Sequence, residues 1–574
     1  MNKRFLIMTV LTLLACPLIR AGDAKTEGKF LLGTTYTDVD GYLGNVGEYE
    51  LAEQGFLPLV KAHLTVLDQD MFLEVAAVHK GDAREQFYRA YFDASRVFKT
   101  RFTLNKFQHR LDHDPLTNMD TSQRAGHLVT ITDDLAPAHE YRIVYTEYLS
   151  ETELRHPKAE WFTANVTYRR QERQGAHQGY ALNHCQACHL ESMPRPVDEA
   201  TDEVTGSLAV ATGKAGLQYT LVYREFKDDL YGLGYTYEPS IHPGTQLDVF
   251  TNRVLFDDTN GELPTNAVPG NKKYSHELKG YYHLTDKTHL IGALNYAKAE
   301  NAKTALSTVS RSYSGRFSTT TLNDTRINAR YRYSNIDNAA VFVDLPEQTA
   351  VAGPQAGRTY AQAYPSFGVA DFTRYSSLSR ENSEFDLEFL VPFQNRSRLG
   401  ISYNYTNINR DTFEVSETEK HRFNVFYRTD PKKDFSGTIR YKGELVSDPF
   451  ANHRAAIEPV LQTAPSPGAA PFVATQYFTL YDSRMASLTN QPTQTHEFDG
   501  LGTWKPAERF GLTVHYNYTH SDNDTLEYSD WNQSIHTVGG DLWFTPQERL
   551  TLTAGVIYTD YKSETLFVLP VWNG

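Results

Sequence analysis

Cysteine is almost missing: three in 574 residues, too few for the framework of a disulfide-stapled scaffold. Basic clusters are missing as well. There are 56 Lys and Arg against 70 Asp and Glu, a formal charge of −14, and no long Lys/Arg block interrupts that balance. Nucleic acid is therefore not expected as a partner, because neutralising phosphates needs a basic face. Downstream of the N-terminus no run approaches the ~18 apolar residues of a membrane helix. Hydrophobic residues make up only 40% and mean hydropathy is −0.50, which is poor material for the several ~150-residue cores a soluble chain of this length would need. No Ser-His-Asp arrangement, phosphate loop or paired-carboxylate pattern emerges, so the chain is not expected to be an enzyme.

What is abundant is aromatic: 36 Tyr and 31 Phe, with Phe, Trp and Tyr together at 13%, a level that excludes an intrinsically disordered chain. At the N-terminus Lys3 and Arg4 precede the apolar run Phe5 to Ile19, which closes near Arg20-Ala21-Gly22. That reads as a signal peptide over 1–21 and therefore as export. Cys16 inside it also resembles a lipoprotein cleavage site, although Pro17 follows directly. Cys16 is expected to leave with the signal.

Beyond about residue 130 the chain repeats with period two. Examples are Phe162, Ala164, Val166, Tyr168; Leu217, Tyr219, Leu221, Tyr223; Leu399, Ile401, Tyr403, Tyr405; and Phe510, Leu512, Val514, Tyr516, Tyr518. Such alternation gives each strand one apolar and one polar face. A soluble sandwich alternates too. Here, however, segments of roughly ten residues end in aromatics, and the connections come in two sizes. Short ones include Thr285-Asp286-Lys287-Thr288, Gln394 to Ser397, Thr429 to Lys433, Lys505 to Glu508 and Thr545 to Glu548; long ones cover roughly 343–368, 408–420, 443–497 and 519–534. The pattern predicts an all-β chain: a large transmembrane antiparallel β-barrel of about 20–26 strands, even in number, with long extracellular loops and short periplasmic turns, located in the outer membrane of a Gram-negative cell with its lipid bilayer as partner. Residues 22–130 read as a periplasmic lead with early strands (Val66 to Val78, Phe98 to Phe107), and 131–574 as the main barrel; stretches near 229–236 and 260–273 are ambiguous. The acidic excess is assigned to solvated loops and an anionic lumen. A barrel of this size is usually plugged, so something is expected to occupy its lumen.

One motif carries chemistry. Within 177–200 lies His184-Cys185-Gln186-Ala187-Cys188-His189, a C-x-x-C-H. Its chance occurrence is on the order of 10⁻⁴ given so few cysteines. The spacing is that of covalent haem c attachment, with thioether bonds to Cys185 and Cys188 and His189 as the axial ligand of the iron. Met193, His184 and His177 are candidates for the sixth ligand, and Met193 is the choice that would raise the potential. Two alternatives stay open: a disulfide between Cys185 and Cys188 in an oxidising compartment, and zinc held by His184, Cys185, Cys188 and His189, for which the ligands are crowded.

The signal peptide, the Tyr-rich alternation and the stretch Asn183 to His189 followed by Ser192-Met193-Pro194-Arg195 together resemble the MtrB/PioB family of outer-membrane barrels. The resemblance implies a porin-like sheath of an electron-transfer conduit that houses a multihaem c-type cytochrome and passes electrons to or from extracellular acceptors. One haem on Cys185 and Cys188 is too small to bridge an apolar band ~25 Å tall, so it would serve as an access, exit or bridging site. The competing function is a passive diffusion porin or uptake channel whose C-x-x-C is a structural disulfide.

Overall fold

The computed structural model describes residues 24–564 apart from 42–47, 50–53, 82–83, 118–131, 183–189, 231–233, 237–261, 265–267, 305, 340, 344–356, 360–361, 363–371, 375–377, 394–395, 411–415, 433, 450–490 and 524–530. The chain is all-β. Twenty-one antiparallel strands follow one another around one sheet, from Lys25–Thr37 to Leu550–Glu564, each pairing with its neighbour in sequence. A short strand, Thr132–Asp134, joins the same sheet in parallel to the start of Leu190–Ala211. The number lies within the expected range. Among the described residues it is odd where an even one was expected, so the first and last of these strands run in the same direction.

The strand Phe510–Asn523 shows why these sequences fold this way. Phe510, Leu512, Val514, Tyr516 and Tyr518 stand on one face, and Thr513, His515, Asn517 and Thr519 on the other; Val514 lies opposite Gly502 and Gly540 on the flanking strands. β-Branched and aromatic residues on one row suit a pleated surface whose two faces meet different solvents. The apolar row is bare: Ile439 is 70% exposed and Leu552 53%. On a closed or lipid-embedded sheet that face meets hydrocarbon.

Tight connections alternate with long ones. Asn323 and Asp324, with φ of 46° and 57°, join Leu322 to Thr325, the two-residue left-handed turn that matches strand twist. Two-residue turns also follow Thr285, Ala507 and Gln547. On the opposite end the connections are long, as between Val446 and Gln494 or Asn523 and Trp531. The expected early strand Val66 to Val78 is two strands, broken at Gln69-Asp70 between Gly55–Asp68 and Met71–Lys80. Phe98 to Phe107 lies inside Phe98–Arg110. The two ambiguous stretches contribute a small separate hairpin, Gly234–Thr236 with Glu262–Pro264. Among the described residues Lys25–Thr37 pairs only with Gly55–Asp68, and Leu550–Glu564 only with Trp531–Gln547, so the sheet has two unpaired edges instead of the continuous ring expected from the sequence.

Candidate functional site

Two strands are much longer than the rest. Ala159–Leu182 and Leu190–Ala211 have 24 and 22 residues and stay in register from Phe162 opposite Val210 to Leu182 opposite Leu190. Their outer neighbours stop earlier: Arg142 pairs with Ala176, and Asp228 with Glu199. Beyond those points the hairpin leaves the wall on the long-connection end, because the turns before and after it, at 157–158 and 212–214, belong to the short end. Cys185, Cys188, His189 and His184 occupy the connection 183–189, which lies outside the described residues.

The strands carrying that connection are described down to its two ends. Met193 lies opposite Gly179, and His177 opposite Arg195, which puts these two of the three sixth-ligand candidates on one face, the one that continues downward through Arg173, Gln171 and Arg169. His177 Nδ1 sits 2.9 Å from the Gln178 carbonyl oxygen. Gln178, Tyr180 and Ser192 stand on the opposite face, where a second layer of chain is packed against them. The Gln178 amide donates to Ser192 Oγ (3.0 Å) and to the Asp114 carbonyl (2.6 Å), and its own oxygen accepts from the Asp114 N–H (2.9 Å). Ser192, fully buried, donates to Asp134 Oδ1 at 3.0 Å, and Asp134 Oδ2 lies 2.6 Å from His113 Nε2.

Four sequence-distant segments therefore meet at the base of the connection: 111–116, 132–141, the end of one long strand and the start of the other. Burial pushes the Asp134 carboxyl up, but the Ala136 N–H, His113 and the Ser192 hydroxyl together outweigh it and hold the group below its ordinary value. Tyr141 closes the cluster, 1% exposed, with His113 edge-on at 4.9 Å and His139 at 4.8 Å between ring centroids. Burial raises its hydroxyl pKa, with Asp134 adding to the effect. Gly175 lets the strand pass here: its φ is +150°, and a Cβ would stand 2.0 Å from the Arg142 carbonyl oxygen. His113, Asp134, Gln178 and Tyr141 could not be singled out from sequence, because no spacing links partners 21 to 64 residues apart.

A second candidate region is the polar face of the wall. A cavity of about 830 Å³ runs along it. Arg330 is paired to Asp386 at 2.6 Å, Asp386 also accepts from Asn404 at 2.8 Å, Lys442 is paired to Glu497 at 2.8 Å, and Arg422 to Glu444. The expected anionic lumen is, on this stretch, a lattice of alternating charges. Among the described residues no group of three or more His, Cys, Asp or Glu is placed to hold a metal ion.

The family model for outer-membrane β-barrel porins of the MtrB/PioB type matches residues 152–444. No curated protein matches the chain. Among solved structures it is similar to the copper transporter OprC (9% identity, 93% of this chain and 73% of that one, TM-score 0.43). It is also similar to the siderophore receptor PirA from Acinetobacter baumannii (9%, 92% and 76%, TM-score 0.46) and to the FrpB iron transporter from Neisseria meningitidis (8%, 88% and 79%, TM-score 0.40).

Proposed function

The chain belongs to the MtrB/PioB family of outer-membrane β-barrel porins, and from that premise we propose that it is the sheath of a transmembrane electron-transfer conduit, housing a multihaem c-type cytochrome and carrying one covalent haem c of its own. What supports this reading is that C-x-x-C-H falls in sequence between Leu182 and Leu190, the paired ends of a hairpin that rises out of the wall at the long-connection end, which in outer-membrane barrels is the extracellular one. The donor set fits a haem. Cys185 and Cys188 would supply the thiols, His189 an imidazole, and Met193, His177 or His184 a second ligand, the first two from the hairpin face opposite Gln178 and Ser192. When bound, the group would supply a one-electron centre whose potential is set by that second ligand and by burial.

The surrounding residues do the rest. Asp134, Ser192 and Gln178 fix the opposite face of the hairpin, so the connection is held at both ends without their occupying the face that bears Met193. The polar wall, with its cations matched to carboxylates, offers a hydrated surface to a protein partner without a dominant charge of either sign, and the apolar row keeps lipid outside. Export by the N-terminal signal and location in the outer membrane belong to the same reading.

Expression with the cytochrome maturation machinery followed by haem staining on a denaturing gel is the test. Stain is expected on the full chain and none on Cys188→Ala, with the barrel assembled in both. An unstained wild-type chain would sink the haem assignment while leaving the sheath testable through co-purification of a multihaem cytochrome. The rival, a diffusion porin with a Cys185–Cys188 disulfide, rests on the narrow span between the paired Leu182 and Leu190. It requires a free, stable ion conductance of the purified monomer and loss of the barrel in Cys188→Ala.

A further inference from the structure

Four times around the barrel a Tyr hydroxyl meets a His ring across neighbouring strands at the same place. Tyr219 lies 2.7 Å from His276 Nδ1, Tyr403 2.8 Å from His421 Nδ1, Tyr441 2.9 Å from His496 Nδ1, and Tyr516 3.0 Å from His536 Nδ1. The offset is constant. Tyr219 is registered opposite Leu278, Tyr403 opposite Phe423, Tyr441 opposite Phe498 and Tyr516 opposite Val538, and each His sits two residues from that partner, toward the long-connection end. A fifth pair, Tyr88 with His79 at 3.4 Å, repeats the arrangement with Ala77 as the registered partner.

All these residues stand on the apolar row, and the His is where that row changes character. Toward the short turns the next position is Leu278, Phe423, Phe498 or Val538. Toward the long connections it is Tyr274 and then Lys272, Glu419, Gln494 or Ser534. From Phe510 to Tyr518 the row of one strand covers, at about 3.3 Å per residue and a tilt near 40°, roughly 20 Å of height, close to the ~25 Å apolar band of a barrel. The belt thus lies at the edge of the hydrocarbon.

A Tyr hydroxyl at that edge needs a partner, since an unpaired one costs free energy where water is scarce. When it donates to Nδ1, the imidazole's proton is on Nε2 and the ring becomes a donor in its turn. The geometry points to a docking surface for lipid headgroups: the four histidines pass the hydrogen bond outward, each Nε2–H donating to a phosphate oxygen of the surrounding leaflet. The outer face would then be held at a fixed depth by polar contacts at its long-connection rim. At the other rim the row ends in residues such as Phe435, Trp504, Phe544 and Leu550, which offer only apolar surface and one indole N–H.

The full chain, with ring-¹⁵N histidine, is reconstituted in phosphatidylglycerol vesicles in phosphate-free buffer, so that lipid is the sole source of phosphorus, and ¹⁵N–³¹P dipolar dephasing is measured. Dephasing at Nε2 is expected. It should vanish in maltoside micelles and in the combined variant His276→Phe, His421→Phe, His496→Phe, His536→Phe, whose strand content is checked by circular dichroism. Absence of dephasing in the wild-type vesicles overturns the proposal, as does a signal undiminished in the folded variant. Should that variant fail to fold, Tyr219→Phe, Tyr403→Phe, Tyr441→Phe, Tyr516→Phe serves instead. It keeps the rings but frees Nδ1, and a proton distribution unchanged in the ¹⁵N shifts would equally overturn the relay.

Discussion

The wall and the base of the long hairpin solve the problem of apolar surface in opposite ways. Along the wall, large side chains such as Ile439 and Val556 stand bare at 70% exposure, so their burial has to come from the membrane. At the hairpin base Leu116, Tyr141, Ile143 and Val197 are buried within the protein itself, together with Gln108 and Ser192. On the wall's polar face Arg330 and Asp386 pair across adjacent strands; at the base Gln178 and Asp134 find their partners in segments far away in sequence. One region is completed by lipid, and the other carries its own small dry core in water, as a site projecting beyond the bilayer must.

The largest effect that separates them is loss of core volume. Leu116→Ala is expected to destabilise the hairpin base by about 2–5 kcal/mol, seen as faster hydrogen exchange at residues 176–182 and 190–197 to the same degree in lipid and in detergent. An equal change in the wall's exchange would break the distinction. Next, Val514→Arg places a charge near mid-height of the apolar row and should cost about 2–4 kcal/mol of unfolding free energy in vesicles; the penalty should shrink in a soluble, water-penetrated amphipathic environment, whereas that of Leu116→Ala should not.

A pH titration sharpens the comparison further. Asp134 has its folded-state pKa depressed, so its stabilising contribution is fully present above the unfolded value near 3.9 and is lost as pH falls through the lower folded value. Exchange protection at the hairpin base should therefore fall on acidification below about pH 4, and Asp134→Asn should remove that component. The smallest expected effect has the opposite sign. The buried Tyr141 hydroxyl has no hydrogen-bond partner among the described residues, so Tyr141→Phe should leave stability unchanged or raise it by up to about 1 kcal/mol; a loss greater than that, by denaturant titration, would mean the hydroxyl is paired.

Much of the wall was legible in the sequence because its rule is local. Period two, short connections such as Thr285-Asp286-Lys287-Thr288 and the aromatic ends of segments need no knowledge of distant contacts, and Leu399, Ile401, Tyr403 and Tyr405 share one face as read. The stretch Val66 to Val78 shows the limit. Apolar residues run through Leu67 and resume at Met71, and the polar run Asp68-Gln69-Asp70 is too short a break to separate two strands by alternation alone. The candidate site divides in the same way: C-x-x-C-H announces itself by spacing, whereas the support formed by His113, Asp134, Gln178 and Ser192 exists only because two remote loops fold onto one hairpin. The Tyr–His belt was hidden for a different reason. Each pair is diagonal between strands, so neither strand alone shows it.

Beyond Ala176 on one strand of the long hairpin, and between Ser192 and Glu199 on the other, no strand among the described residues pairs with the outward backbone edge, an arrangement that in many proteins recruits a stranger's strand and seeds fibrils. Pro194 and Pro196, opposite Gln178 and Ala176, leave gaps in the row of amide donors just there. The projecting arm is thereby made a poor template, and copies lying side by side in the membrane do not knit together through it.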